Sequence, residues 1–103
     1  VAVRILFVDD EPNILQGLRR TLRSHAHEWQ MEFAGSAAAA LDLLAKQPFD
    51  VIASDLQMPG MDGAALLGEV QKRWPTMLRL VVSGSCEQSR VIRSVGAAHQ
   101  YLS

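Results

Sequence analysis

A chain of 103 residues, 49% of them hydrophobic, makes one small domain with enough apolar surface for a core, which excludes a disordered segment. A formal net charge of −1 leaves no basic footprint for nucleic acid or an anionic membrane, and the lone Cys86 excludes a disulfide framework and a cysteine-built zinc site. No apolar run reaches membrane-spanning length and the first residues form neither a signal nor a transit peptide, so a reducing, cytoplasmic setting is expected. Val1 in place of methionine is read as a lost natural start.

The chain alternates strand and helix patterns. Val3 to Val8 is a continuous apolar run broken only by Arg4, which predicts a buried strand, β1. It ends in Asp9, Asp10 and Glu11. Pro12 suits a first helical turn, where its missing N–H is no loss. Ile14, Leu15, Leu18 and Leu22 recur at helical spacing, with Arg19, Arg20 and Arg23 mostly on the other face, so α1 is expected over 12–25. Met31 to Ala34 predicts a short β2. Ser36 is a good N-cap for α2, Ala37 to Lys46, with Ala38, Leu41, Leu44 and Ala45 expected to face the sheet. Val51 to Ser54 is β3, and Asp55 follows at its carboxyl end. Pro59, Gly60 and Gly63 leave a loop beside that acid. Ala64, Leu66, Leu67, Val70 and Trp74 mark α3, closed by Pro75. Leu78 to Val82 is β4, Ser83 to Ser85 a turn, Glu87 to Val95 α4, and Ala98 to Leu102 a short β5. Strands alternating with helices imply an α/β fold, a parallel sheet with helices on both faces.

Such a sheet gathers its strand ends along one edge. Asp9 and Asp10 end β1, Asp55 ends β3 and Ser83 ends β4. If β1 and β3 are neighbours, three carboxylates converge, and their mutual repulsion calls for a divalent cation. Magnesium suits oxygen ligands and keeps waters that a phosphate can replace. Ser83 and the backbone N–H groups after Asp55 could hold phosphoryl oxygens.

At these residues the chain resembles a known family. Asp9-Asp10-Glu11-Pro12, the run from Asp55 through Met58, Pro59 and Met61 to Asp62 and Gly63, and Val82-Ser83-Gly84 look like the receiver domain of two-component response regulators. Val95 to Ala98 with Tyr101 and Leu102 fits the same pattern, so the likeness covers residues 1–103 as one domain. It implies a flavodoxin-like, doubly wound, five-stranded parallel sheet of order 2-1-3-4-5. It implies that Asp55 is the phosphoacceptor, taking a phosphoryl group from the phosphohistidine of a sensor histidine kinase or phosphotransfer protein. Mg2+ would be held by Asp10, by Asp55, by the backbone carbonyl of Gln57, and by Asp9 through water. Ser83, Gly84 and Tyr101 would form the phosphate-binding switch, changing the α4–β5 surface that an attached output domain reads. The domain would assist its own phosphorylation and dephosphorylation without being an enzyme in its own right. The family's usual lysine would fall just beyond Ser103, and its fifth helix after that, so both are expected to be missing here. That leaves an open α1–β5 side through which two copies could associate.

Rival readings are a phosphohydrolase of the haloacid dehalogenase kind, whose Asp-x-Asp order after the first strand is not matched by Asp9-Asp10-Glu11-Pro12, and a receiver-like module that takes no phosphate, which normally lacks one of the acids. Elsewhere the plain readings lead. Cys86 is incidental, His25 and His27 are solvated, Trp29 and Trp74 pack at element ends, and the arginines of α1 form a solvated face or, by the family analogy, a kinase-docking face. Arg79 to Gly84 resembles, weakly, receivers joined to cyclic-dinucleotide phosphodiesterase or HD-type output domains.

Overall fold

The computed structural model describes residues 3–26, 28–54 and 63–81. Strand β1, Val3–Val8, lies between β2, Trp29–Ala34, and β3, Val51–Ser54, and β4, Leu78–Val81, pairs with the far side of β3. All three pairings are parallel, and the order is β2-β1-β3-β4. The predicted β5 and α4 lie outside the described residues.

Alternate residues of the central strands serve two cores. Ile5 and Phe7 of β1 and Val51 and Ala53 of β3 pack with Leu18 and Leu22 of α1, Pro12–Leu22. Leu6, Val8 and Ile52 pack on the opposite face with Ala40 and Leu44 of α2, Ala37–Lys46, and with Leu66 and Val70 of α3, Gly63–Arg73. Burial on both faces is why β1 and β3 read as mainly apolar runs instead of alternating ones.

The amino ends of the strands are tied together by Asp50. Its N–H donates to the Arg4 carbonyl at 2.8 Å and its carbonyl accepts the Leu78 N–H at 3.0 Å. Its carboxylate accepts the Arg4 N–H at 2.9 Å. One residue thus holds β1, β3 and β4 in register.

Three expected details change. Helix α1 ends at Leu22, and residues 23–25 form a separate 3-10 turn. β2 begins at Trp29, not Met31, because the buried Trp29 pairs with Val3. In α2 the buried side is Ala37, Ala40 and Leu44, while Ala38 and Ala45 are exposed. Positions 37, 40 and 44 follow the 3.6-residue period, and 38 and 45 fall off that face. The predicted cap holds: Ser36 Oγ accepts the Ala39 N–H at 3.1 Å.

Candidate functional site

The carboxyl ends of the four strands form one row. Val8 is in register with Ala34 on one side and Ser54 on the other, and Ser54 with Val81. The condition for convergence of the acids, that β1 and β3 be neighbours, is therefore met. Asp9 follows Val8 in the chain and Asp55 follows Ser54. Ser54 itself is fully buried. Asp55, Gln57, Ser83, Gly84 and Tyr101 lie outside the described residues, so Asp9 and Asp10 are the predicted site residues whose surroundings can be stated.

These two neighbours differ sharply. Asp9 is 3% exposed, whereas Asp10 is half-buried. The Asp9 N–H continues the sheet ladder by donating to the Ala34 carbonyl at 3.1 Å. Its carboxylate oxygen accepts the Glu11 N–H at 2.9 Å, closing a two-residue turn between strand and helix. Glu11 is the N-cap of α1 in an extended conformation, φ −91° and ψ 108°, and its carbonyl accepts the N–H groups of Ile14 and Leu15. Its own side chain makes no capping bond, and the Asp9 carboxylate fixes this N-cap residue from outside the helix. Glu11 was not among the predicted site residues. The signal for it was the acid two positions before it and the proline one position after.

The acids occupy a helix-start edge. The first residues of α1 and α2 follow the carboxyl ends of β1 and β2, and unpaired N–H groups there favour negative charge. Among the described residues no group of three or more metal-ligating side chains is complete. Asp9 and Asp10 supply two carboxylates, a hard-oxygen donor set that fits magnesium in kind. Every described buried side-chain oxygen or nitrogen has a hydrogen-bond partner, so the buried Asp9 carboxylate is satisfied.

Concavity alone would point elsewhere. A cleft of about 540 Å³ lies at the other edge of the sheet, between Pro48 and Phe49 before β3 and Trp74, Pro75 and Met77 before β4. The Arg73 guanidinium lies 4.7 Å from the Trp74 ring centroid there. It is a seam between two turns and holds none of the acids.

A family model described as the response regulator receiver domain matches residues 5–103. The chain is 40% identical over 100 residues to the hydrogenase transcriptional regulatory protein HoxA of Cupriavidus necator, covering 95% of this chain and 20% of that protein. It is 35% identical over 100 residues to the response regulator protein FleR of Pseudomonas aeruginosa, covering 95% of this chain and 21% of that protein. The chain thus spans about a fifth of the length of these relatives. Among solved structures, the signal receiver domain of an HD domain-containing protein from Pseudomonas fluorescens superposes with a TM-score of 0.88 at 24% identity, covering 98% of this chain and 97% of that one. The chemotaxis protein CheY4 of Vibrio cholerae gives 0.78 at 20% identity, with 95% and 99% covered. At those identities the structures speak to the fold.

Proposed function

Because this chain belongs to the response regulator receiver domain family, we propose that Asp55 is its phosphoacceptor and that Asp9 and Asp10 hold the magnesium ion that transfer requires. The observation that supports this is the register pair Val8–Ser54, from which the chain runs on into Asp9 and Asp10 on one strand and Asp55 on the other. An oxygen of the Asp55 carboxylate attacks the phosphorus of a phosphohistidine. The phosphorus–nitrogen bond breaks, and the imidazole leaves as an acyl phosphate forms. Bound Mg2+ would neutralise phosphoryl charge during transfer. Asp10, half-exposed, is the direct ligand. Asp9 already accepts the Glu11 N–H and is buried, which suits a role through a metal-bound water. Asp55 and the Gln57 carbonyl would be the remaining protein ligands.

Ser83 and Gly84 receive the phosphoryl oxygens and Tyr101 follows them inward. The acyl phosphate adds about 1.5 to 2 negative charges at the edge, and the switch is biased by as much as these contacts differ between its two states. The donor is a sensor histidine kinase or phosphotransfer protein, and the changed α4–β5 surface acts on an attached output domain. The relative in Cupriavidus necator is a transcriptional regulatory protein, which favours control of transcription as the output over an HD-type hydrolase. No described helix is long and apolar enough to cross a membrane.

Incubating the native protein with acetyl phosphate and magnesium should attach one acid-stable, base-labile phosphate, and Asp55→Asn should abolish it. Unchanged labelling of Asp55→Asn at the same site would overturn the assignment.

A further inference from the structure

Among the described residues no strand pairs with the outer edge of β2. The Val3 N–H donates to the Glu28 carbonyl at 3.3 Å and the Asp9 N–H to the Ala34 carbonyl at 3.1 Å. Along a strand the N–H and C=O of one residue point to the same side, and successive residues alternate. Glu28 and Ala34 face β1, so Gln30 and Glu32 face it too. Met31 and Phe33 therefore turn their backbone N–H and C=O groups away from β1, toward the open edge. Among the described residues β2 is the last strand on this side.

A cleft of about 490 Å³ runs beside this edge, between β2 and the end of α1. Its floor is Met31 and Phe33, both half-buried, and its rim is Arg19 and Arg23, both exposed. The Arg19 guanidinium lies 4.7 Å from the Phe33 ring centroid, and Phe33 in turn stacks on Phe7 with centroids 5.3 Å apart. The ring face holds Arg19 over the strand while its N–H groups remain available in the guanidinium plane. The other face of β2 carries Gln30 and Glu32, both exposed. The edge thus presents backbone groups with no partner among the described residues, an apolar floor, two cations on one face and an anion on the other.

We propose that the β2 edge is a docking site for an acidic extended peptide, which adds to the sheet as a further strand. Main-chain bonds to Met31 and Phe33 supply the pairing. Acidic side chains at alternate positions meet Arg19 and Arg23, and neutral ones at the positions between lie beside Glu32. The alternation fixes the register, because a slip of one residue would bring acids against Glu32.

The test uses the native full-length protein and a synthetic peptide alternating glutamate with valine, with a lysine–valine peptide as control. Calorimetry should detect the glutamate peptide. Amide exchange should slow at Met31 and Phe33 and not at Gln30 and Glu32, whose groups already face β1. Arg23→Glu, an exposed change, should weaken the glutamate peptide about tenfold, or 1.4 kcal/mol, and favour the lysine peptide. Met31→Pro removes an outward N–H without touching the β1 ladder and should abolish binding. No binding, equal binding of the two peptides, or protection at other residues would overturn the proposal. A dimer that Met31→Pro dissociates would also overturn it, by making a second copy the occupant.

Discussion

Removing the acids of the β1 end one at a time should separate their roles. Without metal, Asp10→Ala should be more stable than Asp9→Ala by about 1.5–3 kcal/mol, the contribution of a hydrogen bond to a charged group. The difference includes the bond to Glu11. Asp9 accepts the Glu11 N–H at 2.9 Å from a nearly inaccessible position, and its loss leaves that N–H unpaired at the start of α1. Asp10 is half-exposed, and substitutions in such places usually stay within about 0.5 kcal/mol. Either change removes the same repulsion between the two neighbours, so that contribution cancels in the comparison. In a domain of this size the gap corresponds to melting temperatures separated by roughly 6 °C or more. Magnesium at tenfold its dissociation constant should add about 1.4 kcal/mol to the native protein, and little to either variant. Urea titrations of the three proteins, with magnesium and with chelator, measure all of this. Two variants that unfold together without metal would refute the role given to the Asp9–Glu11 bond. A full magnesium increment in Asp10→Ala would refute the ligand assignment.

Phe7→Ala should cost about 3–5 kcal/mol in urea unfolding, because the side chain is buried in the central strand and stacks on Phe33; a loss below about 2 kcal/mol would mean that this core collapses around the gap. Ser36→Ala should cost about 1 kcal/mol and Ser36→Asp almost nothing, since the cap needs only an oxygen for the Ala39 N–H; equal losses in thermal melts would show that the cap is not limiting.

The parts of the fold that could be read from sequence were those where side-chain chemistry varies along the chain. β1 and β3 stand out as apolar runs closed by acids, and both keep their expected bounds. The inward face of α2 was legible at Leu41 and Leu44 but not among its alanines, because Ala37 to Ala40 are four identical residues and carry no asymmetry. The end of α1 was blurred for a similar reason. Nothing in Arg23-Ser24-His25 is a strong helix stop, so the change to a 3-10 turn has no local signal. At the site, Asp9 and Asp10 are the same residue type side by side, and only the resemblance to receivers gave them different roles. What the structure adds is a difference in setting: Asp9 is buried and accepts the Glu11 N–H, whereas Asp10 is half-buried. The readings of Asp55, Gln57, Ser83, Gly84 and Tyr101 rest on motif alone, since those residues are not described.

The two edges of the sheet differ in how their charges are balanced. At the amino edge, Asp50 bonds to β1 and β4, so its polar groups are spent on holding the strands. The helices also end there: Lys46 closes α2, and Lys72 and Arg73 close α3, where cations offset the negative ends of the helix dipoles. That edge is both structurally committed and electrostatically balanced. At the carboxyl edge the sense is reversed. Helices begin there with N–H groups that favour anions, and α1 has no acidic residue in its first turn to offset them. Asp9 joins the ladder through Ala34 and holds Glu11 at the corner, and Asp10 follows it at the start of the turn. An acid pair tolerated by helix starts is poorly balanced until a cation joins it, and a site with a cation and several N–H donors is then suited to a phosphoryl group. If Asp10 holds the proposed magnesium, substitutions at Asp50 should act mainly through folding and those at Asp10 mainly through metal.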